Sequence, residues 1–341
     1  MSRAAGIAIE RSLSPVNYLP TASVEALRFR AKCMTAVRRF FDEWGYVEVD
    51  TPVLSQDIVI DAFLEPFIVP QTFGGKDYYL QTSPEFGMKR LLCGGLGAIY
   101  QLGHVFRRGE RGENHNPEFT MVEWYRTQDD HFAQMQVVED LLHVVTQLTA
   151  APISFPRPYR RTTYQEAFQR HLGIDPFAAN INDLQQAARE RGIVPPPSLS
   201  EEDRDGWLNL LLAICVESKL GIERPEFLYD YPASQSAMAK TRTTPHHVAE
   251  RFELYCNGIE LCNGYHELLD PAELRRRNAA QQAIRLQEGS PPLPLESRLL
   301  EAMEKGLPPS AGVALGFDRL VMLLGGYSRI DDVIPFPIER A

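Results

Sequence analysis

The side chains best equipped for chemistry in this sequence are two arginines and a set of carboxylates, carried on separated segments. In the first segment, Gly103-His-Val-Phe-Arg-Arg-Gly-Glu-Arg-Gly-Glu-Asn-His-Asn-Pro-Glu-Phe119, Arg107 precedes a charged, glycine-bearing loop, and His115, Asn116 and Phe119 follow it. A guanidinium grips a phosphate through two hydrogen bonds and an aromatic face stacks on a purine, so this combination suits a nucleotide. Read alone, the same residues also describe a solvated hairpin tip. The second segment, Leu315-Gly-Phe-Asp-Arg-Leu-Val-Met322, adds Arg319 as a second phosphate clamp. Gly316 there lets a ligand approach the backbone, and Asp318 is placed to cap the following helix or to orient Arg319.

The third segment runs from Glu250 to Leu268 and contains Asn257-Gly258, a strong signal for a two-residue hairpin turn. With that turn, Tyr255 faces Glu260 and Cys256 faces Ile259. Arg251, Glu253, Tyr255 and Glu260 then share one face, while Phe252, Leu254, Ile259 and Leu261 take the buried one. Carboxylates on a common face repel unless a cation lies between them, and an oxygen donor set suits Mg²⁺. An acidic face paired with arginine is the plainer alternative. Farther on, Asn263, Gly264 and Glu267 suggest a second turn that brings another carboxylate to the same edge. Glu85, in Thr82-Ser-Pro-Glu85, opens a helix, where a carboxylate is favourable in any case. Glu85 and Glu267 together would satisfy the two ammonium groups of a diamino acid.

The elements that must position these groups follow from periodicity. A helix capped by Thr21 or Ser23 carries an apolar stripe through Leu27, Ala31, Met34, Val37, Phe41 and Trp44 and stops at Gly45. Strands are expected at 46–52, 78–82, 98–106 and 118–126, the last two forming an antiparallel hairpin, and helices at 84–92 and 132–148. After Pro152, Pro156 and Pro158 the pattern weakens into a mostly helical stretch ending at Pro195-Pro-Pro197. Strands return at 225–231 and 250–268, with helices at 271–288, 296–305 and up to Leu324. Hairpin-joined strands with helices before and after them predict an α+β fold with a mainly antiparallel sheet. Neither GxxxxGK[ST] nor GxGxxG occurs, so a nucleotide would be held without a P-loop or a Rossmann turn.

With 35 basic and 45 acidic residues among 341, the net charge is −10, which does not build the field expected of a protein that lives on nucleic-acid phosphates. Five scattered cysteines without a CxxC pair read as reduced thiols. The N-terminus lacks a signal-peptide core and no run approaches the roughly 20 apolar residues of a membrane span, so a cytoplasmic protein without membrane partners is expected.

In order and content, these segments resemble the signature motifs of class II aminoacyl-tRNA synthetases of the lysyl type. Tyr46-Val-Glu-Val-Asp-Thr-Pro52 is similar to motif 1, Phe106 through Thr120 to motif 2, and Gly312 to Arg319 to motif 3. The likeness is greater to a shortened paralogous family, the elongation factor P (R)-β-lysine ligases. Only about 20 residues precede the first helix, leaving no room for the anticodon-binding barrel of the synthetases. Met121 to Arg126, Tyr231 to Ser236 and Gly258 to Leu268 also look like that family's versions. The resemblance implies one class II synthetase-like catalytic domain over 22–341, an extension at 1–21, and a small helical insertion at 156–200. It implies activation of (R)-β-lysine with ATP and Mg²⁺, transfer to a lysine ε-amine of elongation factor P, a homodimer through motif 1, and no role for tRNA. A truncated enzyme charging an RNA and a non-catalytic regulatory module are the alternatives.

By the same resemblance, Arg107 contacts the α-phosphate and Arg319 the γ-phosphate. His115, Asn116 and Phe119 hold the nucleotide, with further ATP contacts from Gly109, Glu110, Leu261 and Gly316. Glu253 and Glu260 hold the metal. Ser83, Pro84, Glu85, Tyr125, Asn263, Glu267 and Ala314 line the amino-acid pocket. Two residues depart from the synthetase pattern: Gly109 replaces the glutamate of Arg-x-Glu, with Glu110 displaced by one, and Ala314 replaces the first glycine of Gly-x-Gly-x-Asp-Arg.

Overall fold

The computed structural model describes residues 18–148 and 155–341; most of the expected N-terminal extension and Pro152 lie outside them. The first helix, α1 (Val24–Glu43), starts where the Ser23 hydroxyl accepts from the Ala26 amide at 3.1 Å. Its buried line runs through Ala26, Cys33, Val37, Phe40 and Phe41, so the helix is rotated slightly from the expected stripe. Ala31 and Trp44 face outward as a result. The strand expected at 46–52 shrinks to β1 (Val47–Glu48), which pairs in parallel with Ile99 and Tyr100.

A small sheet of β2 (Leu54–Ser55), β3 (Ile68–Phe73) and β4 (Lys76–Leu80) then leads into α2 (Glu85–Cys93). The hairpin of β5 (Ala98–Phe106) and β6 (Glu118–Thr127) has the expected limits within a residue, and α3 (His131–Thr146) follows it. Next come β7 (Arg160–Thr163), α4 (Tyr164–Leu172), α5 (Ile181–Glu190) and α6 (Arg204–Leu211). The chain continues through β8 (Glu226–Pro232), β9 (Thr241–Arg242), β10 (Val248–Cys256) and β11 (Ile259–His266). It closes with α7 (Pro271–Gln287), α8 (Arg298–Gly306), β12 (Ser310–Gly316) and α9 (Phe317–Gly325).

The main sheet has the order β1-β5-β6-β12-β11-β10-β8-β7, antiparallel except at its two outer pairs. This is an α+β fold in which the last strand in sequence, β12, sits centrally between β6 and β11. One face packs its Trp124, Phe252, Leu254, Cys262 and Leu315 against α1, α3 and α9. Helices α4 to α6 build a second core on β8 and β10, and the β7 pairing joins this part of the chain to the main sheet. The opposite face of the central strands, flanked by α2 and α8, carries the polar side chains described next. Among the described residues no helix is long and apolar enough to cross a membrane.

Candidate active site

The turn Asn257-Gly258 forms with both φ angles positive, 51° and 73°, as a primed two-residue turn requires. Tyr255 pairs with Glu260 and Cys256 with Ile259, as the sequence suggests, but a bulge beside Leu254 then moves the register by one. Glu253 consequently faces Asn263 rather than Cys262. The bulge buries Leu261 and Cys262 together and turns Asn263, Tyr265 and Glu267 toward the polar face.

On that face Glu253 is buried and densely bonded. It accepts from Arg251 Nη2 at 2.5 Å and from the Tyr231 and Tyr255 hydroxyls at 2.6 Å each. Glu260 is more open, its side chain 38% exposed, and lies 3.5 Å from Arg319 Nη1. Enclosure in the cleft and the neighbouring Glu253 charge raise its carboxyl, against the pull of Arg319 and Arg107. Glu217 completes the group from the turn after α6 and accepts from Tyr255 Oη at 3.3 Å. Burial, then repulsion from Glu253 and Glu260, pushes it up to about 7. No sequence feature distinguished this residue, a lone acid ending an apolar helical run. Glu217, Glu253 and Glu260 form an oxygen donor set suited to a hard dication, with Glu260 more open than the tightly bonded Glu253.

Arg319 lies in the first turn of α9. Its guanidinium donates to the Glu260 carbonyl at 2.9 Å and the Asn114 carbonyl at 3.4 Å and sits 2.5 Å from His115 Nε2. Burial and the charge of Arg319 lower the proton affinity of His115, which favours a neutral ring. Arg107, just past β5, lies over the Phe119 ring at 5.1 Å and is 3.8 Å from Glu110. Gly109 occupies a turn with φ of 85°, which explains a glycine there. Both arginines therefore converge on the acidic face from opposite ends of the sequence. Gly316 is the residue just before α9, on the Arg319 side.

Two further polar side chains are engaged within the protein, the second against expectation. Asn116 is 3% exposed, donates to the Glu118 carbonyl at 2.7 Å and accepts from the Ile338 amide at 3.0 Å. Its amide thus ties the hairpin base to the C-terminal segment. Asp318 neither caps α9 nor orients Arg319; it binds Arg30 of α1 and accepts from the Thr120 amide at 2.7 Å.

A second polar cluster lies between α2 and the strands. Glu85 is 2.5 Å and Glu267 2.6 Å from Lys89 Nζ, a fully buried ammonium that the sequence analysis left out. The i,i+4 spacing of Glu85 and Lys89 on α2 was the available signal. Glu123 accepts from Ser83 Oγ at 2.8 Å and Tyr125 Oη at 2.7 Å. Pro84 precedes α2 and lets the Ser83 hydroxyl accept from the Glu85 amide at 3.0 Å. Asn263 pairs with Ala314, which pairs with Glu123 on its other side, so these three side by side floor the cluster. A Cβ at Gly312 would come within 2.2 Å of the Tyr125 ring, so glycine is required beneath it.

Glu85, Glu123 and Glu267 thus share one internal cation. Burial and the nearby Glu85 push Glu123 up to about 7. Glu267 is pushed up to about 8 by burial and Glu85, although Lys89 opposes this. Burial disfavours the Lys89 charge, yet Glu267 and Glu85 hold its proton more tightly than usual. Glu267 Oε2 is held by Lys89, while its buried Oε1 has no hydrogen-bond partner among the described residues.

A central antiparallel sheet, paired arginines facing an acidic strand pair, and an adjoining polar pocket define a class II synthetase catalytic domain. The sequence model for class II tRNA synthetases (D, K and N) matches residues 16–340. The chain is 46% identical over 326 residues to the elongation factor P–(R)-β-lysine ligase of Enterobacter sp. (strain 638), covering 94% of this chain and 98% of that one. Ligases of the same name from Vibrio parahaemolyticus and Vibrio cholerae are also 46% identical, over 95% of this chain and 99% of theirs. The chain belongs to this ligase family within the class II synthetases.

Proposed function

We propose that this protein activates (R)-β-lysine with ATP and transfers it to a lysine ε-amine of elongation factor P. The names of its relatives support the acceptor and the amino acid. The observation that carries the reading is the buried trio Glu85, Glu123 and Glu267 around a single ammonium. Such a pocket holds surplus negative charge, which an amino acid with two ammonium groups neutralises.

In this reading Arg107 holds the α-phosphate, Phe119 stacks on adenine, and His115 and Glu110 flank the nucleotide. Arg319 leaves its carbonyl partners for the γ-phosphate. Glu260 and Glu253, with Glu217 beside them, would hold Mg²⁺, which when bound supplies positive charge to the phosphate oxygens. The pocket carboxylates place the substrate so that its carboxylate oxygen reaches the α-phosphorus, and pyrophosphate leaves. The acceptor amine then attacks the acyl carbon of the adenylate, loses a proton, and AMP departs. Free cysteines throughout fit a reducing compartment, and we place the reaction in the cytoplasm. We further propose a homodimer through α1 and β1, where Val24, Trp44 and Val47 are exposed.

Incubation with ATP, Mg²⁺, elongation factor P and either lysine isomer, followed by intact-mass measurement, tests the proposal. The expected product is elongation factor P carrying one added lysyl group, formed faster from (R)-β-lysine. Amino acid found on RNA, or on neither macromolecule, would overturn it.

A further inference from the structure

On the reverse face of the sheet, away from the nucleotide and amino-acid pockets, two histidines and a glutamate converge. His131 is the first residue of α3, Glu250 lies on β10 and His266 ends β11. One ligating atom from each lies within 4.8 Å of the others. His266 Nδ1 is 2.5 Å from Glu250 Oε2, and the two side chains are only 17% and 12% exposed. His131 is 3% exposed, and neither of its ring nitrogens meets a protein hydrogen-bond partner. Leaving such a buried group unsatisfied is costly, so the ring calls for a partner of another kind.

We propose that His131, Glu250 and His266 form a binding site for a transition-metal dication, Zn²⁺ in the first instance. Two imidazoles and one carboxylate are a donor set that zinc accepts, leaving a fourth position open. With metal–ligand bonds of about 2.0–2.1 Å, tetrahedral ligands stand about 3.4 Å apart. Glu250 and His266 would separate by about an ångström, and His131 would draw in by a similar amount. Burial above all holds the His131 ring neutral down to about pH 4, so a lone pair is available on it at neutral pH. A surface cavity of about 280 Å³, lined by His266, Asp129, Asp130, Gln128, Ala133 and Pro309, reaches the cluster and offers an entry route and room for a water ligand.

The surrounding charges are mixed. Asp129 and Asp130 favour a cation at the cavity mouth. Arg242 opposes it, 3.9 Å from Glu250 Oε1, but is bound chiefly to Asp230. Because α3 packs on β10 and β11, a metal here would clamp the helix to the back of the sheet that carries the catalytic face.

The test is titration of the chelator-treated full chain with Co²⁺ and then Zn²⁺ in a large excess of Mg²⁺, which occupies the acidic face. One equivalent of Co²⁺ should give visible absorption bands of low-symmetry coordination, which Zn²⁺ abolishes. His131→Ala and Glu250→Gln should each weaken binding at least about tenfold, while Glu260→Gln should leave the bands intact. Should His131→Ala fold poorly, His131→Leu keeps the buried volume and removes the ligand. Absence of the bands in the wild type, or bands unchanged in every His131 variant, would overturn the proposal.

Discussion

Glu260 suits a test of the proposed Mg²⁺ site, because its side chain is 38% exposed whereas that of Glu253 is buried in hydrogen bonds. Glu260→Gln should retain the wild-type melting temperature but lower ATP–pyrophosphate exchange by about 10²–10³-fold, read across a Mg²⁺ series. Unreduced exchange would remove Glu260 from the metal site. Glu123 and Glu267 predict a pH signature. Their carboxyls are pushed up to about 7 and about 8, so protons compete with a diammonium substrate below those values. The KM for the amino acid should fall as pH rises from 6 to 8, by up to about tenfold per unit for each proton displaced. Glu123→Gln should remove the lower step. The same raised groups stabilise the free protein most at low pH, and that contribution is lost as pH rises toward 8. Substrate should therefore raise the melting temperature more at pH 8 than at pH 6. Ala314, between Asn263 and Glu123, adds a methyl group to the pocket floor. Such differences discriminate by about 1–3 kcal/mol, so Ala314→Gly should narrow the preference between lysine isomers, measured as relative exchange rates.

At the scale of elements, strand β12 places the pocket floor against β6 so closely that only glycine fits at 312. Gly312→Ala should cost about 1–3 kcal/mol in urea unfolding and raise the amino-acid KM, because the Tyr125 ring must move. Alternation and turn chemistry made much of this layer legible in the sequence. The β5–β6 hairpin, the Asn257-Gly258 turn and the Tyr255–Glu260 pairing all follow from local rules. The bulge beside Leu254 did not, since both candidate registers place apolar residues in the core. Arg107, Arg319 and Glu260 were recognisable as types, but their convergence depends on β12 inserting between β6 and β11, a long-range pairing that periodicity does not encode. Lys89 and Glu217 escaped notice because one sits in an ordinary helix pattern and the other in an irregular turn.

At the scale of the whole molecule, α1 is tied to the catalytic hairpin through Arg30, which binds Asp318 and Thr120 Oγ1. The rotation of α1 that buries Phe40 leaves Trp44 and Val24 outside, next to the edge strand carrying Val47. In the proposed dimer this surface is covered. Val47→Glu should shift the sedimentation profile toward monomer, while a wild-type chain that sediments as monomer at micromolar concentration would refute that interface.

The one-residue register change in the β10–β11 hairpin also bears on how such a pocket can vary. Were this strand to pair without the bulge while keeping all its residues, everything beyond Leu261 would invert. Cys262, Gly264 and His266 would then point where Asn263, Tyr265 and Glu267 now point. The one supernumerary residue at Leu261 thus decides which side chains the pocket receives, and a strand one residue shorter at that point would present the same face without needing the irregularity.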